Sequence, residues 1–255
     1  MLDAMTSNAG APVGPQMFRW RLAGGIGPAL PAGLVFGQAL RQMVMRLAAA
    51  NGMPRLPDGY HRDSGPLHQH AFYLPEDADE DGRIDHAVVF AEGGLPAGLV
   101  PILAQGGIIV LPDLGSWHLA PDSMGPRGYG GLFGPACRWL GASPYVTPLP
   151  RHRAARRIGE ARRERPDRGL EAQLRRELDR RQLPQPIAVL WHGHVPLRGG
   201  VSVPVADWMF RVDGNTPPPD AMAACPELLY GEPVRGPLAL GFGAHFGLGL
   251  MRPVE

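Results

Sequence analysis

Short apolar segments alternate with polar turns along most of the chain, and their spacing predicts the secondary structure. Phe18 to Leu22 alternates apolar side chains with arginine, the period of two that is typical of a half-buried strand. Leu34 to Ala50 places apolar residues at helical spacing, and Asn51-Gly52 follows as a helix C-terminus would. The first segment therefore predicts a strand, and the second predicts a helix.

The stretch from Gly65 to Phe90 predicts a β-hairpin. Its sequence is GPLHQHAFYLPEDADEDGRIDHAVVF, in which two apolar runs, 71–74 and 87–90, flank an acidic link that contains a glycine. Beyond it, Leu95 to Ala104 is predicted to form a short helix and Gly107 to Leu111 a strand. The first half thus has the order β-α-β-β-α-β of a ferredoxin-like unit.

The second half has a less regular pattern. Gly169 to Arg181 is predicted as a helix and Asp213 to Pro226 as a loop, while the predicted strands are Ser143 to Leu149, Ile187 to Trp191, Trp208 to Val212 and Leu238 to Met251. The pattern predicts an α+β protein made of two ferredoxin-like (RRM-like) units in tandem, the second irregular, with a C-terminal glycine-rich loop. The predicted units are a flexible leader (1–16), a first domain (17–134) and a second domain (135–255), joined near the glycine-rich segment 125–134.

Composition narrows the class of protein. A chain of 255 residues with 44% hydrophobic content can bury a core, and its 35 glycines and 29 prolines predict many turns. The two cysteines show neither a zinc nor a disulfide pattern, and no signal peptide is evident, so a cytoplasmic protein is expected. The uncharged segment Gly93 to Pro112 is interrupted by proline and glycine, which predicts a helix and a buried strand rather than a membrane span.

Charge is segregated along the chain. All 25 basic residues are arginine, which either a GC-rich genome or phosphate recognition would favour. Residues 151–181 hold 12 arginines and six acidic residues, a local charge of +6 that leaves −5 for the remainder. Such a segment can neutralise RNA phosphates, or it can be a solvated helix with i, i+4 ion pairs. RNA binding is favoured for 151–165, and both interpretations stay open for 168–181.

Several motifs together resemble one protein family. His-x-His-Ala-Phe-Tyr-Leu-Pro begins at His68, and Asp-x-Asp-Gly-Arg-Ile-Asp-His begins at Asp79. Further pieces are Trp139 with Ser-Pro-Tyr-Val (143–146), Pro-Arg-His (150–152), Leu-Glu (170–171) with Arg-Arg-Glu-Leu (175–178), and the glycine-rich segments 236–241 and 245–250. From about Phe18 onward the chain resembles the RAMP-superfamily subunit that processes repeats in type I-U (I-G) CRISPR systems.

The resemblance implies a function and a set of site residues. The expected protein is a metal-independent endoribonuclease that cuts CRISPR precursor RNA within the repeat, leaves a 2′,3′-cyclic phosphate, and keeps the 3′ hairpin of the guide within an effector complex. His68 and His70 match the His-x-His motif and are the expected catalytic pair, with Arg62 and Tyr73 as weaker candidates for phosphate stabilisation. The expected RNA-binding residues are Arg151, His152, Arg153, Arg156, Arg157, Arg162, Arg163, Arg165, Gly241, Gly243, His245 and Gly247. No cofactor and no metal are expected.

Alternative functions remain open at this stage. The same protein could hold the repeat hairpin without cutting it, as a non-catalytic RAMP subunit. A metal hydrolase using His68, His70 and Asp85 is disfavoured, because nothing in the spacing requires a metal. Asp77, Asp79 and Asp81 match an EF-hand loop in part, but Val88 stands where the bidentate glutamate is needed, so these side chains are expected to bond their own backbone.

Overall fold

The computed structural model describes residues 14–53, 71–126, 131–152, 165–211 and 216–254. Within these ranges, two five-stranded antiparallel sheets, a two-stranded sheet and three α-helices form two lobes. The mixed α and β composition predicted from the sequence is confirmed, and the tandem ferredoxin-like arrangement and its domain boundaries remain predictions. No helix in the described ranges has the length and apolar character needed to cross a membrane.

The first lobe is a five-stranded sheet covered on one face by helices. Its strands are β1 (Met17–Ala23), β2 (Ala71–Glu76), β3 (His86–Ala91), β4 (Gly107–Leu111) and β5 (Gly115–Gly125), in the order β2-β3-β1-β5-β4. Helices α1 (Gly33–Ala50) and α2 (Val100–Leu103) pack on Trp20, Tyr73 and Val89. Alternate residues Phe72, Leu74 and Phe90 face the other way and pack on Leu132 and Phe133. Strand β2 is therefore buried on both faces.

The second lobe combines a second five-stranded sheet with one helix and a small hairpin. Its sheet strands are β6 (Ala136–Gly141), β7 (Tyr145–Val146), β8 (Ala188–His192), β11 (Ala223–Val234) and β12 (Met251–Val254). The order is β12-β6-β11-β7, with β8 also pairing to β11, and the hairpin consists of β9 (His194–Pro196) and β10 (Ser202–Pro204). Helix α3 (Leu170–Arg180) buries Leu174 and Leu178 against Trp139 and Tyr145.

The sequence patterns predicted the first lobe better than the second. The hairpin β2-β3, both helices and the order β-α-β-β-α-β are present, but β5 lies unpredicted between β1 and β4. The predicted loop 213–226 extends too far, because Ala223–Val234 forms a strand, whereas the described residues 216–222 are neither helix nor strand. Pro226 lies between the residues of β11 that pair with β7 and those that pair with β6, where its missing N–H is tolerated. Three other predicted strands differ from the structure. Trp208 to Arg211 is not a strand, and within 143–149 only Tyr145–Val146 is one. Residues 238–250 are mostly turn.

Gly37 tests the packing of α1 on the interface between the lobes. A Cβ at this position would overlap the carbonyl oxygen of Phe246 and stand 2.7 Å from that of Tyr73. We expect Gly37→Ala to lower the free energy of unfolding by about 1–3 kcal/mol, as overpacked sites do, even though alanine favours helix. Chemical denaturation measures this change.

Gly93→Ala is the control, because a Cβ there meets nothing within 4 Å and Gly93 is exposed in a turn. It should change stability by less than about 0.5 kcal/mol. Equal stability of the Gly37 variant and the control would contradict the close approach of α1 to β2.

Candidate nucleic-acid interface

The glycine-rich segment 241–249 forms a compact turn where the two lobes meet. Four of its glycines, Gly241, Gly243, Gly247 and Gly249, have positive φ, a conformation that residues with a Cβ rarely adopt. Bonds to the second lobe hold the turn: Phe242 N donates to Val146 O at 2.8 Å, and Ser143 Oγ donates to Gly247 O at 2.7 Å. The turn is therefore a defined structure with bare backbone at several positions.

The same turn contacts the beginning of β2. The ring of His245 lies 4.7 Å from the ring of Phe72, centroid to centroid, with an angle of 31° between the planes. At its other end, Gly247 is so close to Pro75 that a Cβ would overlap the proline ring. Phe72 is the second residue of β2, so His245 lies at the first end of this strand. His68 and His70 precede Ala71 in the sequence and lie outside the described residues.

Helix α3 clamps the turn from the opposite side. The Oε2 of Glu177 accepts a hydrogen bond of 2.8 Å from Gly241 N, and Arg181 Nη1 donates to Ala239 O at 2.6 Å. These two side chains also form an ion pair of 3.3 Å. The guanidinium carbon of Arg181 lies 5.5 Å from the centroid of the Phe72 ring. The Phe72 ring therefore contacts both the Arg181 guanidinium and the His245 imidazole.

These elements enclose a groove of about 220 Å³, called the α3 groove here. Its lining residues are Phe72, Pro148, Leu149, Gln173, Arg176, Glu177, Arg180, Arg181, Gly241, Ala244 and His245. Arg176 is 41% exposed and pairs only loosely with Asp167, at 3.4 Å, and Arg180 is exposed and makes no hydrogen bond or ion pair to a described residue. The rim is thus cationic, which suits phosphate groups.

Glu177 is the one carboxylate among the described residues that line this groove. Burial raises its pKa above the ordinary value, while the charge of Arg181 and the Gly241 N–H oppose the rise. Since Arg181 offsets the charge of Glu177, the arginines at the rim give the groove a net positive charge. Gln173 is buried beside it and braces Leu149 through both its amide oxygen and its amide nitrogen, each at 3.0 Å.

The α3 helix supports both interpretations of segment 168–181 in part. Arg175 bonds Glu171 at 2.8 Å and Arg181 bonds Glu177, the i, i+4 pairs expected of a solvated helix. Gln173, Glu177 and Arg181, however, follow one another at i, i+4 and i+8 on one face of the helix. Gln173 bonds Leu149, Glu177 bonds Gly241, and Arg181 bonds Ala239. The sequence did not identify these three residues or Phe72 as part of the site. For the three residues on α3, the i, i+4, i+8 spacing was a signal that they share one face of the helix.

Several predicted RNA-binding residues lie near the start of α3. Arg165 N donates to Arg151 O at 3.0 Å, so the two ends of the basic segment meet. His152 is tied to Asp220 through its backbone N, at 2.8 Å, and through Nδ1, at 3.0 Å, and the first of these bonds lowers the pKa of Asp220 most. His152 is therefore held by a carboxylate.

The remaining predicted residues divide into two groups. His68, His70, Arg62, Arg153, Arg156, Arg157, Arg162 and Arg163 lie outside the described residues. Tyr73 is described, and its side chain is 1% exposed within the core under α1. Strand alternation turns the Tyr73 ring inward, while Phe72 turns toward the groove. The role of Tyr73 at a phosphate stays a prediction.

The acidic turn after β2 bonds its own backbone, as expected. Asp77 accepts from Asp81 N at 3.1 Å and from Gly82 N at 2.8 Å, and Asp81 accepts from Arg83 N at 2.8 Å. Burial raises the pKa of Asp77 to about 7. The carboxylate oxygens of Asp77, Asp79 and Asp81 lie within 4.8 Å of one another.

Glu177→Gln tests the electrostatics of the clamp. A carboxyl whose pKa is raised in the folded state contributes stability below its unfolded pKa, and this contribution is lost as pH rises through the folded value. Glutamine keeps an acceptor for Gly241 N and does not titrate. We therefore expect the melting temperature of the variant, relative to wild type, to increase as pH rises from about 4.

Thermal melts at several pH values make this comparison. Glu171→Gln is the control, because its side chain is 49% exposed. A difference between the Glu177 variant and wild type that does not change with pH would contradict a partly buried carboxylate with a raised pKa.

Comparisons with known proteins give remote structural similarities only. No protein-family model and no curated protein sequence matches the chain. A RAMP protein that binds different RNA substrates aligns at 9% identity over 94% of this chain and 98% of its own, with a TM-score of 0.38. A Cas6-related protein from Pyrococcus furiosus aligns at 9% identity over 95% of this chain and 99% of its own, with a TM-score of 0.41. A Cas6 product complex aligns at 13% identity over 94% of this chain and 100% of its own, with a TM-score of 0.39. Because these TM-scores are below 0.5, the function has to follow from the chain's own residues.

Proposed function

We propose that this chain is a RAMP-type RNA-binding protein that processes CRISPR precursor RNA within the repeat and keeps the 3′ hairpin of the mature guide. The observation that supports it best is the α3 groove. There a pinned glycine-rich turn, a cationic helix rim and His245 meet at the start of the strand that follows His68 and His70. A bare backbone beside exposed arginines accommodates a phosphodiester strand closely.

RNA binding follows from the chemistry of the groove. Arg176 and Arg180 present guanidinium groups to solvent, and the ends of the basic segment 151–165 meet next to the start of α3. The His245 ring lies against the Phe72 ring, and both residues line the groove, so aromatic surface suited to stacking with a base is present there. Phosphates of one RNA strand can thus contact the rim while a base stacks on the turn.

The proposed reaction needs no metal. One histidine of the His68-x-His70 pair removes the proton of a 2′-hydroxyl, whose oxygen attacks the adjacent phosphorus, and the other protonates the departing 5′-oxygen. The products are a 2′,3′-cyclic phosphate and a 5′-hydroxyl. Arg62 remains a candidate for stabilising the phosphate, and the protein is proposed to act beside other subunits of a type I effector complex.

A non-catalytic RNA-binding subunit is the second candidate. The residues of the α3 groove favour it, because His245 is the one histidine among the described residues that line this groove. Acid and base catalysis requires two such groups. In this alternative the protein holds the hairpin and leaves cleavage to another molecule.

Arginine substitutions test RNA binding. Replacing Arg176 and Arg180 by Ala should weaken binding of repeat RNA and reduce the slope of log affinity against log salt by about 0.7–0.9 for each phosphate that is no longer neutralised. The same effect is expected for Arg156, Arg157, Arg162 and Arg163. Gel shifts at several salt concentrations measure both quantities.

Arg46→Ala is the matched control, because Arg46 is an exposed arginine on α1. It should leave affinity and slope unchanged. Unchanged values for the Arg176/Arg180 variant as well would favour the solvated-helix interpretation of α3.

The His68/His70 double alanine variant tests the catalytic pair. We expect the specific cut within the repeat to slow by about 10²- to 10⁴-fold, while the RNA is still shifted in a gel, because acid-base groups contribute mainly to the chemical step. Single-turnover cleavage in EDTA measures this rate. Retention of the repeat cut by the double variant would remove these histidines from the reaction, and a wild type that binds but never cuts would select the non-catalytic alternative.

A further inference from the structure

A second group of titratable side chains lies on the face of the second sheet that α3 leaves uncovered. Val189, Trp191 and Leu228 pack on the α3 side, so the alternating residues His192 and Glu227 point to the other face. In the registers of the sheet, His192 on β8 and Arg138 on β6 are diagonal neighbours of Glu227 on the central strand β11. Three neighbouring strands thus bring these three side chains together.

Hydrogen bonds orient the histidine of this group. The Oε2 of Glu227 lies 2.9 Å from His192 Nε2, and its Oε1 accepts from Arg138 Nε at 2.8 Å. Burial alone would raise the pKa of Glu227, but the bonds from His192 and Arg138 outweigh it and hold the pKa below the usual value. An ionised carboxylate places the proton on Nε2 of a neutral His192, so Nδ1 presents a lone pair as a base.

A second imidazole stands beside the first. His194 follows across Gly193, its side chain is exposed, and its ring centroid is 6.3 Å from that of His192. A base and an acid that act on one phosphodiester must each come within a hydrogen bond, about 2.6–3.2 Å, of its attacking and leaving oxygens. The separation of the two rings leaves space for one phosphate group to approach both.

A cation is available for the charge of that phosphate. The side chain of Arg138 is 46% exposed, and only its Nε–H is used by Glu227 among the described residues. Arg138 also lines the cleft of about 700 Å³ between the second sheet and the turn after β2. Arg138 therefore connects this group to an open cleft, and Glu227 holds His192 beside it on the same face of the sheet.

This group is separate from the α3 groove. Pro196, at the end of β9, accepts a bond of 3.2 Å from Arg252, which is also paired with Glu80 in the turn after β2. The α3 groove lies at Phe72, near the opposite end of β2. From Phe72 to Glu76 strand β2 spans about 14 Å at roughly 3.4 Å per residue, and the two groups lie on opposite faces of the second sheet, so they form separate sites.

We propose that His192 and His194 form a second acid-base site that cleaves RNA phosphodiester bonds, with Glu227 as the positioning residue. The proposal rests on the proposed function in taking RNA as the substrate. Nδ1 of His192 removes the 2′-hydroxyl proton, O2′ bonds to phosphorus, the bond from phosphorus to O5′ breaks, and protonated His194 gives its proton to O5′. Arg138 stabilises the charge on the phosphate during this transfer.

The experiment isolates this site in a full-length chain that carries His68→Ala and His70→Ala. The substrate is an end-labelled single-stranded RNA containing one repeat with its flanking sequence, in EDTA. We expect residual cleavage, outside the original repeat cut, that falls by about 10²- to 10⁴-fold when His192→Gln or His194→Ala is added. His118→Ala, an exposed histidine on β5, is the control and should leave it unchanged.

Two further measurements assign the roles. A substrate with sulfur in place of the bridging O5′ has a leaving group that needs no proton, so it should restore cleavage to the His194 variant and not to the His192 variant. Glu227→Gln should lower the rate of the residual cleavage without changing the affinity for the RNA, and Glu227→Asp should restore part of that rate, a pattern that loss of folding alone would not produce. Circular dichroism confirms that each variant is folded.

Gel shifts with the same RNA separate the failure of this proposal from the failure of the proposed function. Absence of RNA binding by the wild-type chain would overturn both. RNA that is bound but not cut in the His68/His70 background, or residual cutting that survives the His192 and His194 substitutions, would overturn the second site and leave RNA binding intact.

Discussion

The close backbone contact between the glycine-rich turn and the strands beside it is the constraint on which the interface between the lobes depends. A Cβ at Gly249 would overlap the carbonyl oxygen of Leu240, and one at Gly247 would overlap Pro75. The backbone of the turn therefore packs directly against its neighbours. The Ser143 hydroxyl satisfies two of its backbone polar groups, donating to Gly247 O and accepting from Leu250 N. Larger residues would separate β2 from the second lobe and open the α3 groove.

The second sheet separates two different chemistries by its two faces. On one face, α3 places Glu177 and Arg181 against the glycine-rich turn and leaves arginine heads at the rim. On the other face, Glu227 orients His192 and Arg138, and Arg138 lines the cleft. In both places a carboxylate with limited exposure is compensated by an arginine, since an unpaired buried carboxylate would be costly. The ion pairs thus fix the orientation of groups that would face RNA.

Local patterns predicted the elements whose stability is local. The runs at 71–74 and 87–90 became strands β2 and β3, and the periodic segments became α1 and α3, with ends that differ by one or two residues. Strand β11 was not predicted, because Pro226 and the residues before it have the composition of a loop. A central strand is stabilised by pairing on both sides, with β6 and with β8, and those partners are more than 30 positions away in sequence.

The candidate sites divide in the same way. By itself, the sequence determined the types of residue and their local spacing: the glycines of 241–249, the arginines of 151–181 and the histidine pairs, because helix and strand periodicity fix which neighbours share a face. Only the tertiary structure decided that Phe72 meets His245, that Glu177 holds Gly241, and that Glu227 orients His192 from 35 positions away. These contacts depend on sheet order and register, which arise from the packing of the whole chain and leave no periodic mark in any one segment.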